Sequence, residues 1–378
     1  MSLKKIALLK SHFCASGGLE KKTLELAKAL SGCGHEVFLL TQDDLRHEQL
    51  PFQIVSIPGR KPHSFFNMIH FDRGCRKAIM QNRFDAVFGL ERHFVPQTYY
   101  RAGNGCHRAW LEIRKEAFGP FRRASFYFNP CHRLILEMEK QTFLHPGLRY
   151  LFCNSFLVAD QIAHYYPQID KSKLIVIHNG TNIEKSQRPF LESLTGQETR
   201  KRSLGLDPEK FQFLFIGHEY ERKGLKLLLE ALALLPQEGW QLSVVGKDRK
   251  IEFFKKRAKE LSLKNVFFFG QQKDPTCFFQ IADCCVIPSY YDPFANVTLE
   301  ALAMGVPVIT SSKNGASEIV KEPFQGQIFS NFSPLTLASM LHDAMAFPKK
   351  EARAIDIRKS VLQYDEKKQL SALLSFLE

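Results

Sequence analysis

Pro288-Ser-Tyr-Tyr-Asp292-Pro-Phe-Ala-Asn-Val-Thr-Leu-Glu300-Ala-Leu-Ala-Met-Gly305-Val-Pro-Val308 is the stretch on which the reading of this chain turns. An apolar run ends at Pro288, a polar loop carries Asp292, and residues 297–304 follow at helical spacing before Gly305 and a second apolar run over 306–310. Strand, loop, helix, strand in that order predicts a right-handed βαβ unit on a parallel sheet. The first turn of its helix, around Ala295 or Asn296, offers unpaired N–H groups and the positive end of the helix dipole, which suit a phosphate. Glu300 falls about one turn further in, where a carboxylate can accept two hydrogen bonds from the vicinal hydroxyls of a ribose. Asp292, at the loop edge, is placed for the hydroxyls of a sugar joined to that phosphate. A plainer alternative stands beside this, since acids near a helix start also serve its dipole.

The same alternation extends outward. Residues 211–216, 241–245, 266–269 and 286–287 read as strands and 225–235 and 251–261 as helices. A separate array near the start has a strand at 5–9, a Gly17-Gly18 turn, a helix carrying Leu19, Thr23, Leu26 and Leu30 on one face, and further strands at 37–40 and 86–90. Two such arrays predict an α/β chain of two Rossmann-like domains with parallel sheets facing across a cleft. A strand ends at His178-Asn179-Gly180, and the polar stretch 183–202, with Pro189, reads as a linker. The domains are therefore placed at 1–180 and 181–354, with a charged helical tail, 355–378, packing back on the first.

Composition narrows the class. The 378 residues are 44% hydrophobic and 24% charged, which excludes a disordered or low-complexity chain. Nine cysteines, odd in number and without C-x-x-C spacing, favour a reducing cytosol, and no apolar run approaches the length of a membrane span. The net charge of +13 is uneven: residues 59–84 and 101–140 carry +9 of it. Those segments also hold Phe65, Phe66, Phe71, Trp110 and the aromatics of 118–128. Basic residues mixed with aromatics suit an anionic membrane surface, with nucleic acid a disfavoured partner and ordinary core packing the plain alternative. The expected location is cytoplasmic, peripheral on the membrane face.

The acidic-x7-Glu spacing of Asp292 and Glu300, followed by Ala-Leu-Ala-Met-Gly-Val-Pro-Val, resembles the glycosyltransferase family 4 group of retaining GT-B enzymes. Further segments agree in order: Gly17-Gly18-Leu19-Glu20, Ile177-His-Asn-Gly180, Gly217 with Arg222-Lys223-Gly224, and Asn314-Gly315 with Glu318. The layout of 100–180 is similar to that of lipopolysaccharide core glucosyltransferases. The resemblance implies transfer of a hexose from a nucleoside diphosphate sugar, UDP-glucose favoured, to a hydroxyl of a glycan or lipid-linked acceptor, with retention and no metal or other cofactor required. It implies Asp292, His107 and Lys223 as catalytic residues, with His93 an equal competitor of His107 for the transferred sugar. The implied donor site comprises Gly17, Gly18, Arg222, Lys223, Gly246, Gly270, Phe294, Ala295, Asn296, Val297 and Glu300, and the acceptor side His93, Asn104 and Arg108. A cation is required physically, because cleavage leaves charge on the diphosphate. This chain has Asp292 where the family usually has Glu, Ala295 where Gly is common, and His218 where an arginine is usual. A non-catalytic nucleotide-sugar or glycan binding protein and a nucleic-acid-binding α/β protein remain as the other readings.

Overall fold

A computed structural model describes residues 3–12, 18–45, 50–59, 61, 63–117 and 129–377. The chain divides into two compact units, Met1–His178 with Gln369–Glu378, and Asn179–Lys368. Unit one is built on seven parallel strands: β1 (Lys5–Leu9), β2 (Glu36–Thr41), β3 (Gln53–Ser56), β4 (Ala86–Gly89), β5 (Tyr99–Arg101), β6 (Tyr150–Cys153) and β7 (Leu174–Val176), in the order β3-β2-β1-β4-β5-β6-β7. Unit two has six: β8 (Phe211–Ile216), β9 (Trp240–Val245), β10 (Val266–Gly270), β11 (Cys284–Ile287), β12 (Val308–Ser311) and β13 (Gly326–Phe329), in the order β10-β9-β8-β11-β12-β13. Both are Rossmann-like sheets, and in each the strand order reverses once, between β1 and β4 and between β8 and β11. Ligands of open parallel sheets collect beyond the strand ends at such reversals.

Burial on two faces explains the unbroken apolar strands. Residues 6–9 of β1 are all buried, and Ile6 pairs with Val37 of β2 on one side and Ala86 of β4 on the other. The long-range pairing of β8 with β11 runs through Phe213 with Cys284 and Leu214 with Cys285, all buried. At roughly 25 cal/mol per Å² of apolar surface, such continuous central strands dominate the stabilisation of each unit.

Two expectations are corrected. The polar stretch 183–202 is not a linker: helices Ile183–Ser193 and Gln197–Ser203 occupy it. Asn182 caps the first by accepting from the Lys185 N–H at 2.7 Å, and Phe190 is buried in unit two's core, so packing outweighs the cost of Pro189 within the helix. The C-terminal segment is likewise divided rather than joined whole to unit one. Helix Glu351–Lys359 buries Ala354 and Ile357 in the core of unit two, while Leu373 and Leu377 enter the core of unit one beside Ile177. Apolar residues of the two successive helices Glu351–Lys359 and Glu366–Leu374 thus serve different cores.

Gly246, after β9, has φ +133°, and a Cβ there would stand 1.8 Å from the backbone oxygen of Gly217, whereas Gly205 has φ +71° and open space around it. Gly246→Ala should therefore cost at least about 3 kcal/mol and Gly205→Ala about 1 kcal/mol. Chemical denaturation of the two variants checks this, and equal losses would show that the Gly217 loop moves aside freely.

Candidate active site

The loops after β8 and β11 meet at the reversal in unit two. After β8, the chain runs through His218 to Gly224, and the Arg222 carbonyl accepts from the Tyr290 N–H at 2.9 Å, tying the two loops together. Gly217 leaves room for the Lys223 stem, whose Cγ would lie 3.2 Å from a Cβ at that position. Lys223 Nζ is ion-paired and hydrogen-bonded to Asp292 Oδ2. Arg222 reaches the same oxygen at 3.2 Å, the Tyr291 carbonyl at 2.9 Å, and Glu219 at 2.6 Å. The other carboxylate oxygen of Asp292 accepts from the Phe294 N–H at 3.2 Å.

Asp292 is only 6% exposed. Burial alone would push its carboxyl up, but Lys223 and then Arg222 reverse that and hold it below the usual carboxylate range. Burial likewise works against the charged Arg222, and Asp292 and Glu219 more than offset it. The sequence placed Asp292 at a loop edge facing a sugar. It is instead a buried counter-ion with both oxygens engaged, because two cations from the neighbouring loop converge on it.

Helix Asn296–Ala303 starts four residues later, with Ala295 as its N-cap residue. The buried side chain of Asn314 clamps this start: its oxygen accepts from the Ala295 and Ala316 N–H groups at 3.0 and 3.1 Å, and its amide donates to Thr298 and Thr310. The amides of Asn296 and Val297 open the helix, and the Asn296 side chain accepts from Asn179 at 2.8 Å. Glu300 is half-buried one turn on, and Phe294 and Ala295 are buried. Gly246 and Gly270 close neighbouring strand ends, the Gly246 N–H donating to the Gly270 carbonyl at 2.8 Å. Tyr220, which the sequence did not single out, donates its hydroxyl to the Gly246 carbonyl at 2.9 Å and its N–H to Asp248 at 2.6 Å. His218 Nδ1 lies 3.2 Å from the Lys247 main-chain nitrogen and 3.3 Å from the Lys247 carbonyl oxygen. Thus Arg222, Lys223, Asp292 and the start of helix Asn296–Ala303 are brought together within unit two.

The remaining candidates lie in unit one. Gly18 begins helix Gly18–Gly32, and Gly17 lies outside the described residues, as do the aromatics of 118–128. His93 is 4% exposed, packed against Phe71, with Nδ1 3.7 Å from Asp72 and Nε2 without a hydrogen-bond partner. Burial lowers its pKa, Glu91 and Asp72 opposing that only in part. Asn104 and Arg108 are exposed, and His107 opens helix His107–Ala117.

That helix start is held by Glu139, a fully buried residue that sequence reading missed. Its carboxylate accepts from the His107 and Arg108 N–H groups at 2.7 and 3.1 Å, from Arg92 Nε at 2.7 Å and from the Tyr166 hydroxyl at 2.8 Å. Burial would raise the Glu139 pKa, but Arg92 and the two amides bring it below the ordinary value. Burial, then Arg92, pushes His107 down to about 4, so its ring is neutral at pH 7. At the reversal between β1 and β4, Lys10 pairs with Glu91, which also accepts from the Ser11 hydroxyl at 2.6 Å. Among the described residues no group of three or more His, Cys, Asp or Glu is arranged to hold a metal ion, and no helix is long and apolar enough to cross a membrane.

Residues 16–185 match the model of Glycosyltransferase Family 4, and residues 196–360 that of Glycosyl transferases group 1. The chain is 30% identical over 371 residues to a D-inositol 3-phosphate glycosyltransferase of Streptomyces coelicolor, covering 87% of this chain and 79% of that protein. It is 23% identical over 344 residues to the lipopolysaccharide glucosyltransferase WaaG of Escherichia coli K12, covering 87% and 86%. The crystal structure of WaaG, a glycosyltransferase involved in lipopolysaccharide biosynthesis, superposes with a TM-score of 0.81 at 21% identity, covering 97% and 98% of the two chains. Anabaena Alr3699/HepE in complex with UDP-glucose gives 0.72 at 16% identity, covering 99% of each. With its two parallel-sheet units and these matches along both, the chain belongs to the glycosyltransferases of group 1 and family 4, with the GT-B fold.

Proposed function

We propose that this glycosyltransferase moves a hexose from a nucleoside diphosphate sugar, with UDP-glucose the favoured donor, to a hydroxyl of a glycan or lipid-linked acceptor of the lipopolysaccharide core kind. The observation that carries the reading is the pairing of Lys223 and Arg222 with buried Asp292 at the head of helix Asn296–Ala303. The relative named a lipopolysaccharide glucosyltransferase and the neighbour bound to UDP-glucose support the choice of donor and acceptor class.

In this mechanism the Asn296 and Val297 amides and the helix dipole receive a donor phosphate, while Lys223 and Arg222 neutralise the leaving diphosphate as the glycosidic bond breaks. Glu300 accepts from the ribose hydroxyls, and Gly246 and Gly270 leave backbone room for the base. Asp292 fixes the two cations. A carboxylate engaged by two cations and an N–H is suited to holding rather than to attack. The oxygens of the departing diphosphate are then the base for the acceptor proton, which gives transfer with retention. His107, Asn104, Arg108 and His93 form the acceptor side, with His107 neutral and able to hydrogen-bond the transferred sugar.

An anionic membrane surface is the proposed partner for a lipid-linked acceptor. Helix Ser64–Asn82 exposes Phe66 and Met80 together with Arg73, Arg76 and Lys77, and its acid Asp72 is buried.

Four outcomes are expected. UDP or UDP-glucose at about 100 times its dissociation constant should add about 2.7 kcal/mol of stability, read as a rise in melting temperature, and no rise with any nucleoside diphosphate or its sugar would remove the donor reading. Lys223→Ala should weaken UDP and inorganic diphosphate alike by tenfold or more in calorimetry. Glu300→Ala should weaken UDP at least tenfold while leaving inorganic diphosphate unchanged, and equal losses for both ligands would take Glu300 off the ribose. In sedimentation with phosphatidylglycerol vesicles, Arg73→Glu with Lys77→Glu should cut binding severalfold, as should raised salt; unchanged binding would separate this helix from the membrane.

A further inference from the structure

The chain carries the triplet Cys-His-Arg twice, at 106–108 and 131–133. Each begins a helix. His107 is the first residue of helix His107–Ala117. Asn129 caps helix Pro130–Phe143 by accepting from the Cys131 N–H at 2.9 Å, which sets His132 in the first turn. The two helix starts bring the histidines together: His107 Nε2 lies 3.1 Å from His132 Nδ1, with ring centroids 5.2 Å apart and planes inclined by 36°.

Two ring nitrogens at that distance share a single proton, one ring donating and the other accepting, and two protonated rings would repel. The surroundings keep both neutral. Burial, Arg92 and Arg114 act on His107 against the opposing charge of Glu139, and burial and Arg114 act on His132. Seven residues on from His132, and so on the same face of its helix, Glu139 grips the His107 and Arg108 backbone amides. One helix therefore holds His107 at two points, ring and main chain. Among the described residues His107 Nδ1 makes no hydrogen bond, so it is the nitrogen left to meet a ligand. Its polarity is the complement of Nε2: a proton on Nε2 makes Nδ1 an acceptor, and a proton drawn from His132 makes it a donor.

We propose that His132 is a positioning residue of the transfer reaction, fixing the orientation and tautomer of His107 and so deciding whether His107 accepts from or donates to a sugar hydroxyl. The inference rests on the reading of His107 as a sugar-contacting residue. A helix start pinned from a neighbouring helix is what such a role requires, because a rotating imidazole would present both polarities and lose part of its preorganisation.

The test measures UDP release from UDP-glucose by the full chain for wild type, His107→Ala, His132→Ala, His132→Gln and the double alanine variant, with ¹⁵N-detected ring shifts of His107. The proposal expects His132→Ala to lower kcat tenfold or more with KM for UDP-glucose within twofold. His132→Gln, which keeps a hydrogen-bonding group, should recover part of that rate, and the double variant should fall no lower than His107→Ala. The His107 shifts should report one tautomer in wild type and a mixture in His132→Ala, whether or not UDP-glucose is turned over. A normal rate in His107→Ala would overturn the reading of His107 and this inference with it. An impaired His107→Ala beside a normal His132→Ala would overturn the positioning role alone. Additive losses that track a fall in melting temperature, or a tautomer mixture already present in wild type, would also overturn it.

Discussion

The fold of unit two serves one electrostatic constraint: a carboxylate 6% exposed must not stand alone. Burying Asp292 without partners would cost several kcal/mol, and removing one member of such a pair costs about 3–5 kcal/mol because the other charge is left stranded. Lys223 and Arg222 answer it from the adjacent loop. Their convergence fixes the loop after β8 against the loop after β11, and the main-chain bond from Tyr290 to Arg222 does the same without charge. In the absence of a ligand Asp292 neutralises part of two cations. The two cations are therefore already fixed in place, so that an anion meeting them would pay little to organise them.

Unit one meets the same constraint with different parts. Glu91 at the reversal between β1 and β4 is matched by Lys10, and Glu139 deeper in the unit by Arg92. In each case the carboxylate accepts from neutral donors as well, Ser11 for Glu91 and Tyr166 with two backbone amides for Glu139. Such full satisfaction distinguishes an organising buried charge from a merely costly one. His93 Nε2, by contrast, is buried without a partner, so its place in the core is not explained by satisfied polarity.

How much of this was legible in the sequence follows from where the partners lie along the chain. The parallel-sheet architecture was readable because strands buried on both faces leave unbroken apolar runs and Gly217, Gly246 and Gly270 mark the ends of β8, β9 and β10. The parts of the donor-side cluster were visible because Arg222 with Lys223, and Asp292 with the start of helix Asn296–Ala303, each sit in a short contiguous motif. Their ion pair spans 69 and 70 residues, so its burial and the resulting role of Asp292 as counter-ion were not visible. Glu139 gave no local signal at all: in sequence it is one acid among the polar positions of a helix, and its partners lie 27 to 47 residues away. The stretch 183–202 was misread because Pro189 and polar residues outweighed a single buried Phe190 and the cap at Asn182, both of which need the folded core to be recognised.

The two helix starts also differ in a way that bears on what each can do. Helix Asn296–Ala303 is clamped by Asn314, a neutral side chain, so the positive end of its dipole is left uncompensated by charge at the clamp. Helix His107–Ala117 is clamped by the ionised Glu139, which cancels that end. An anion gains from the first arrangement and gains nothing from the second, whereas a neutral polyhydroxyl group loses nothing at the second and can use its fixed hydrogen-bonding atoms. The choice between an amide and a carboxylate at the two caps therefore leaves the start of helix Asn296–Ala303 the better suited of the two to an anion and the start of helix His107–Ala117 the better suited to a neutral group.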